Sequence, residues 1–236
     1  MEIVSGCTKA FACLSPFEEL VGFFPLFSSY IYGLPTDVPS IRQATASVLQ
    51  GFLEDGVVAE KYRGRVVGLD FCGDLSARPN GQISVFTPIF QRVSLPITVH
   101  FGEYAASGSP EELETLLSWY PRRLGHAICL DEQRKVIKER GLCLELLLSC
   151  NVQAGMTQGG FANHHFGEWL ACDRVKVSLG TDDVGVFGSG LSNEYRLASE
   201  HFGLDQKQIC TLARQGIEAI FGGEEEKERL RQVMWI

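Results

Sequence analysis

The sequence predicts an α/β fold with a parallel sheet, of the kind found in barrels and doubly wound domains. From residue 65 onward, short apolar runs alternate with longer helical stretches, and this alternation is typical of a parallel sheet. The runs are apolar on both faces, which indicates strands that are covered on both sides. Five runs qualify as strands: Arg65–Phe71, Leu95–Phe101, Arg123–Ala127, Leu142–Leu148 and Val175–Leu179.

Helices are predicted where end signals agree with helical periodicity. Ser109 and Pro110, followed by acids, form a capped helix start. Nearer the N-terminus, apolar residues at helical spacing predict a helix over about residues 40–55. Four further helices are expected, each supported by a following glycine or by acids that precede bases: Asp131–Arg140, Ser192–Phe202, Asp205–Phe221 and Glu224–Trp235.

Composition limits the classes of protein. The 236 residues are 45% hydrophobic and 21% charged, enough for a well-packed core in one barrel-sized domain or two smaller ones. A net charge of −8 argues against a nucleic-acid partner. The eight cysteines include no C-x-x-C pair, which favours free thiols in a reducing compartment. We expect a cytoplasmic protein without a membrane span, because no secretory signal is evident and the most apolar stretch, Leu20–Phe27, is short and contains Pro25.

Imidazoles and carboxylates follow three of the predicted strands. His100 ends one strand and Glu103 comes three residues later, His126 ends the next strand, and Asp182 and Asp183 follow the last. Taken singly, a strand-end histidine or a paired acid is more often structural or solvated than functional. The C-terminal ends of barrel strands meet at one mouth. Together these residues therefore predict a shared site that can hold a cation and transfer protons.

These motifs resemble the adenosine deaminase superfamily of metal-dependent purine deaminases. The matching runs occur in the family's order and spacing: Gly68–Asp74, Thr98–Glu103, Arg123–His126, Ser149–Asn151 and Ser178–Asp183. Two more runs are most similar to the branch that deaminates N6-methyl-AMP: Asn163–Gly167 and Thr181–Tyr195. The resemblance implies a TIM-type (β/α)8 barrel, a hydrolase acting on the C–N bond of a cyclic amidine, and a purine nucleotide or nucleoside as small-molecule partner.

The resemblance also implies a role for each site residue. His100 and Asp182 would ligate a catalytic zinc ion, Zn²⁺, which lowers the pKa of a bound water to about 7. Glu103 would protonate the purine ring nitrogen, and His126 would orient and deprotonate the zinc-bound water. Two further groups would hold the purine base by its ring nitrogens: Asp183 and the backbone of Gly73.

One motif of the family is missing from this sequence. The family takes two further zinc ligands from an H-x-H motif, whereas the five histidines here form none: His100, His126, His164, His165 and His201. Zinc hydrolases normally use three protein ligands and a water. In an extended loop, the side chains of His164 and His165 would point in opposite directions, so at most one of them could replace a missing zinc ligand.

A second departure affects the barrel itself. The segment between Val58 and Arg65 stands in place of a strand, a phosphate-associated loop and another strand. We therefore expect an incomplete TIM-type barrel that retains about five parallel strands, with a degraded N-terminal part at residues 1–64 and a barrel portion at 65–236. Ala127 and Cys150 stand where the family usually has Gly and Ser, and both are tolerable by size.

Three hypotheses for function follow. The first is a zinc-dependent hydrolytic deaminase, impaired in this truncated chain, that converts N6-methyl-AMP, AMP or adenosine to the 6-oxopurine and releases methylamine or ammonia. The second is an inactive relative that binds purine nucleotide. The third is an unrelated parallel α/β enzyme in which His100, Glu103 and Asp182 perform acid–base chemistry without metal. Measurements of metal content and of sensitivity to chelators would distinguish the three hypotheses. The sequence does not predict the oligomeric state.

Overall fold

The computed structural model describes residues 67–72 and 82–234. Every described residue except Val67 belongs to one unit of the chain, Gly68–Ile236. Three expectations lie outside the described residues: the helix at about 40–55, the division after residue 64, and the placement of Gly73.

Five parallel strands form one sheet, in which each strand pairs with the next along the chain. They are β1 (Leu69–Phe71), β2 (Ile97–Phe101), β3 (Arg123–His126), β4 (Cys143–Leu146) and β5 (Lys176–Leu179). A doubly wound sheet would reverse its strand order at a switch point. This order runs in one direction from β1 to β5, as in a barrel, and the predicted parallel strands are confirmed.

Two strand boundaries were wrong. The first strand was expected to begin at Arg65, but β1 begins at Leu69 and the described Val67 and Gly68 precede it. The apolar run Leu142–Leu148 was expected to be a single strand, but β4 ends at Leu146 and a helix begins at Leu148. At Leu147 the backbone turns out of the strand, with φ −126° and ψ 77°. Because both the strand and the helix are buried, hydrophobicity continues across the turn and does not mark it.

The helices lie mainly in the connections between strands. They are α1 (Thr87–Phe90), α2 (Pro110–Ser118), α3 (Gln133–Arg140), α4 (Leu148–Gln153), α5 (Phe166–Leu170), α6 (Val184–Phe187), α7 (Leu191–Phe202), α8 (Gln206–Ala219) and α9 (Gly223–Val233). The predicted start at Ser109 is confirmed, since its side chain accepts the backbone N–H of Glu112 at 3.3 Å. Asp205 caps α8 in the same way, accepting the N–H of Gln208 at 2.8 Å. No helix in the described part is both long and apolar enough to cross a bilayer.

The core lies between the sheet and its helices. Val99, Leu124 and Leu144 on the central strands are fully buried, and so are Phe166 and Trp169 on α5. Burial of such side chains stabilises the fold by about 1.5–3 kcal/mol each. The core thereby fixes the sheet whose carboxyl ends carry the candidate site.

Candidate active site

Three of the predicted residues converge at the carboxyl ends of the strands. One potential ligand atom from each of His100, His126 and Asp182 lies within 4.8 Å of the other two. His126 and Asp182 have left-handed backbones, with φ of 62° and 53°, where strand meets loop. Such conformations are uncommon for non-glycine residues and cluster at functional sites. The structure thus brings together side chains that are far apart in sequence.

Glu103 is the buried acid of this site. It is 6% exposed, and its Oε1 lies 3.6 Å from Nε2 of His126. Burial raises the pKa of Glu103 to about 7; the charge of His100 opposes this rise, and the carboxylates of Asp182 and Asp183 add to it. A carboxyl group with this pKa is part protonated at neutral pH and can both give and take a proton.

Asp183 directly follows Asp182 in the sequence and is exposed to solvent. Partial loss of hydration raises its pKa, the neighbouring Asp182 adds to the rise, and His100 opposes it. Because Asp183 is exposed and adjacent to Asp182, its carboxylate is accessible to a molecule bound at the carboxyl ends of the strands.

His126 is completely buried and held on two sides. Its Nδ1 lies 2.8 Å from Nδ2 of Asn151, and its backbone carbonyl accepts a hydrogen bond from Nε2 of His165 at 2.6 Å. Burial lowers the pKa of His126 well below its usual value, and the neighbouring histidines His100, His165 and His164 lower it further. His126 is therefore neutral at physiological pH.

His164 and His165 point to the same side, contrary to the expectation from an extended loop. Their rings stack with centroids 4.2 Å apart. The backbone is extended at His164 but helical at His165, immediately before α5, and this change brings the two rings together. His164 bonds to Oδ1 of Asn151 at 3.1 Å, so both imidazoles pack behind His126.

His100 has a carboxylate on its other side. Nδ1 of His100 lies 3.5 Å from Oδ1 of Asp70 at the end of β1. Burial lowers the pKa of His100, but Asp70 and the charges of Glu103 and Asp182 more than offset this, so that the pKa is raised. Cys72 joins Asp70 and His100 in a second group whose ligand atoms lie within 4.8 Å of one another.

Both smaller departures from the family pattern lie in the site. The thiol of Cys150 donates to Oδ2 of Asp182 at 2.8 Å, as a serine hydroxyl could. Ala127 is fully buried with φ +54°. Size alone therefore does not decide whether alanine is tolerated at position 127, because glycine adopts this backbone conformation more readily than alanine does.

His100 and Asp182 fit a metal ion by chemistry and position. Asp70 lies at Nδ1 of His100, which leaves Nε2 for a ligand, and metal-binding histidines commonly have such a carboxylate partner. His126 fits less well, because an amide N–H already points at its Nδ1 and a neutral ring then carries its proton on Nε2. Within residues 67–72 and 82–234, the predicted zinc ligands thus remain two.

Sequence reasoning did not assign a role to Asp70, Asn151, His164 or His165 in the contacts described above. Asn151 and His164 each stand in a run that resembles the family, but side-chain pairing across residues so distant in sequence has no periodic signal. Gly73 lies outside the described residues, so its predicted contact with the base stays a prediction.

Fold and site together define a class of protein. A parallel α/β sheet that gathers imidazoles and carboxylates at the carboxyl ends of its strands is typical of barrel hydrolases that activate water. Comparison with known families agrees: the model of the family described as adenosine deaminase matches residues 43–234. The chain belongs to the adenosine deaminase family. This family is metal-dependent.

Relatives in the family refine the comparison. An N6-mAMP deaminase of Arabidopsis thaliana is 35% identical over 170 residues, which cover 70% of this chain and 46% of the relative. A human N6-methyl-AMP deaminase is 32% identical over 179 residues, covering 72% of this chain and 48% of the relative. The chain thus spans about half the length of the curated relatives it matches.

A solved structure supports the same fold. The Arabidopsis ADAL structure complexed with IMP is 30% identical, with a TM-score of 0.65, and the match covers 81% of this chain and 53% of that chain. Structures of this group are TIM-type barrels. The five described strands with their helices are therefore an incomplete barrel of this type, as predicted.

Proposed function

We propose that this chain is a hydrolytic deaminase of a 6-aminopurine nucleotide, with N6-methyl-AMP as the first substrate to test. The observation that carries the proposal is Glu103, a buried acid with a pKa of about 7 lying 3.6 Å from a buried neutral imidazole at the mouth of the sheet. Two relatives are named N6-methyl-AMP deaminase and a structural relative binds IMP, which supports a nucleotide over a nucleoside.

The site residues divide the work of the reaction. Protonated Glu103 gives its proton to a purine ring nitrogen, which makes the adjacent amino-bearing carbon electrophilic. Water adds to that carbon with His126 orienting it. The remaining proton of the added hydroxyl then passes to the amino nitrogen, and the C–N bond breaks to release methylamine or ammonia and leave the 6-oxopurine. The purine base would be held at its ring nitrogens by two groups: Asp183 and the backbone of Gly73.

Zinc is the metal we propose for the site, held by His100 and Asp182 with its other ligands from water or from residues outside the described ranges. When bound, zinc lowers the pKa of a water ligand to about 7 and so supplies a nucleophile at neutral pH. The absence of an H-x-H motif from the sequence leads us to expect weak zinc binding and slow turnover.

The test is formation of 6-oxopurine from N6-methyl-AMP, AMP and adenosine with added zinc. We expect slow turnover that falls by about 10²–10⁴-fold in Glu103→Gln, because the proton donor is removed. Glu168→Gln is the matched control, since Glu168 is an exposed partner of Arg134 and should leave the rate unchanged. Wild-type turnover equal to that of Glu103→Gln on all three substrates would refute the proposal.

A second candidate is a catalytically inactive nucleotide-binding protein, and the missing H-x-H motif favours it. Saturable binding of IMP without zinc and without turnover would establish that function. Chelator-insensitive, pH-dependent activity would instead favour acid–base chemistry without metal. A cytoplasmic location stays a prediction.

A further inference from the structure

We infer that Asn151 and His164 are positioning residues that hold the proton of His126 on Nε2, so that His126 meets the attacking water as a hydrogen-bond donor and not as a base. The catalytic part of this inference rests on the proposed function, whereas the proton's position does not. Two roles were predicted for His126, orienting the water and deprotonating it. This inference keeps the first role and excludes the second.

The series of hydrogen bonds begins at a backbone N–H, which can act only as a donor. The backbone N–H of Phe166 lies 3.0 Å from Nδ1 of His164 and can only donate. His164 is 3% exposed, and burial, with the charge of His165 adding to it, lowers its pKa to about 3. A neutral imidazole that accepts at Nδ1 carries its proton on Nε2, so His164 is a donor at Nε2.

That donor sets the orientation of a buried amide. Nε2 of His164 lies 3.1 Å from Oδ1 of Asn151, so this atom is the acceptor and the amide NH₂ faces the other way. The NH₂ then has two partners, Nδ1 of His126 at 2.8 Å and Sδ of Met156 at 3.4 Å. Asn151 is completely buried, and its side-chain oxygen and nitrogen are both in use.

The same logic fixes the ring of His126. Its Nδ1 faces an N–H donor and must accept, so the neutral ring carries its proton on Nε2. That nitrogen is directed toward Oε1 of Glu103, 3.6 Å away, and has no hydrogen-bond partner among residues 67–72 and 82–234. A nitrogen that already bears hydrogen in a neutral ring cannot take a proton from water.

The opposite tautomer is costly. With the proton of His126 on Nδ1, this N–H would face the N–H of the Asn151 amide. Otherwise the Asn151 amide and the His164 ring would both have to reverse their hydrogen bonds, and the N–H of Phe166 would then face an N–H of His164. Either arrangement leaves at least one buried polar group unsatisfied, at about 1–3 kcal/mol. That cost corresponds to about 5- to 150-fold in population, which is enough to keep His126 mostly in one form.

Proton transfer then falls to Glu103. Its carboxylate takes one proton from water as the oxygen forms its bond to the purine carbon, and its carboxylic acid gives a proton to the ring nitrogen. The exchange leaves Glu103 as it began. His126 contributes by directing its Nε2–H at the oxygen that is losing its proton.

The decisive measurement is NMR of the ¹⁵N-histidine-labelled protein without substrate, read for the one- and two-bond couplings that distinguish imidazole tautomers. The His126 signals are assigned by their loss in His126→Gln. We expect His126 and His164 of the wild type to be neutral and protonated at Nε2 at pH 7. A His126 ring that is protonated at Nδ1, or cationic at this pH, would overturn the inference without any variant having to fold.

Asn151→Asp tests the cause of this preference. A carboxylate cannot donate, so the proton of His126 should move to Nδ1 or the ring should become cationic. Gln153→Glu makes the same type of change on the same helix, α4. Gln153 is exposed, and its side chain donates to the carbonyl of Phe187 and to no other group in the described part of the chain, so His126 should be unaffected. An unchanged His126 spectrum in folded Asn151→Asp would overturn the inference.

Catalysis provides a separate readout. If the wild type deaminates N6-methyl-AMP, Asn151→Asp should lower kcat by about 10- to 100-fold, the usual cost of losing a partner that orients an imidazole, with KM changed by less than about 3-fold. An unchanged kcat would overturn the catalytic role. If the wild type has no activity, the proposed function fails, and the tautomer is still decided by the NMR spectrum.

Discussion

At the scale of single residues, two positions of the site adopt states that are locally unfavourable. Glu103 is kept partly protonated by burial beside other carboxylates. Ala127 holds a left-handed backbone, which costs an alanine about 1–2 kcal/mol. Relative to glycine, burial of the alanine methyl group stabilises the fold by about 0.8 kcal/mol, and the lower conformational entropy of the unfolded chain adds about 0.4–1 kcal/mol. These gains nearly cancel the cost of the left-handed backbone. Glycine and alanine are therefore both compatible with this position.

Glu103 should make stability depend on pH. Its folded pKa of about 7 lies above the ordinary value of 4.5, so the folded state binds more protons than the unfolded state between these values. Stability from this group is complete below pH 4.5 and is lost as pH rises through 7, by on the order of 3 kcal/mol. We predict that Glu103→Gln matches the wild type near pH 4 and is more stable at pH 8, as measured by urea unfolding. A constant difference across this range would contradict the assigned pKa.

At the scale of elements, a buried carboxylate links the beginnings of two helices. Glu194 on α7 is completely buried and accepts the backbone N–H of Ser149 on α4 at 3.0 Å. It also accepts the hydroxyl of Ser189, which in turn accepts the hydroxyl of Ser149 at 2.9 Å. The adjacent Cys150 and Asn151 reach into the site, so this linkage holds α4 where the site needs it.

Glu194→Ala should therefore be strongly destabilising. It leaves the N–H of Ser149 buried without an acceptor and opens a cavity, at a combined cost of about 3 kcal/mol. Glu194→Gln should cost less, because its amide oxygen can still accept. Glu200→Ala on the same helix is the control, since Glu200 forms an exposed pair with Arg196 and should change the free energy of unfolding by less than about 0.5 kcal/mol. Equal losses in Glu194→Ala and Glu200→Ala would show that the linkage is unimportant.

At the scale of the whole molecule, strand order decides where the site forms. Because β1 to β5 run in sequence and parallel, residues that follow each strand reach the same end of the sheet. Register refines this, since Phe101 is aligned with His126 and Leu146 with Leu179. The described part of the barrel thus assembles one mouth from side chains contributed by successive strands.

Zinc should stabilise this arrangement if His100 and Asp182 hold it. A ligand at 100 times its Kd raises the free energy of unfolding by about 2.7 kcal/mol. We predict that added zinc raises the Tm of the wild type, that a chelator reverses the rise, and that His100→Ala abolishes it. His201→Ala is the control, because His201 stacks on Phe161 and is not in either group of possible ligands at the mouth. A full zinc-induced rise in Tm in His100→Ala would place the metal elsewhere.

Local patterns predicted much of the fold and part of the site. The β-branched run before His100 and the cap at Ser109 act over a few residues, and β2 and α2 followed as predicted. The motifs also identified His100, His126 and Asp182, which meet as expected. The end of β4 was not predictable, because Leu146 and Leu148 are equally hydrophobic and belong to different elements.

The order of residues along the chain was sufficient to establish the alternation of strands and helices, the family, and the chemical groups at the strand ends, because these depend on neighbours in sequence. Folding in three dimensions settled which atoms of those groups face one another. The proton of His126 depends on Asn151, which depends on His164 and on the backbone of Phe166. Hydrogen-bond direction is a property of contacts in space, and a linear pattern does not contain it.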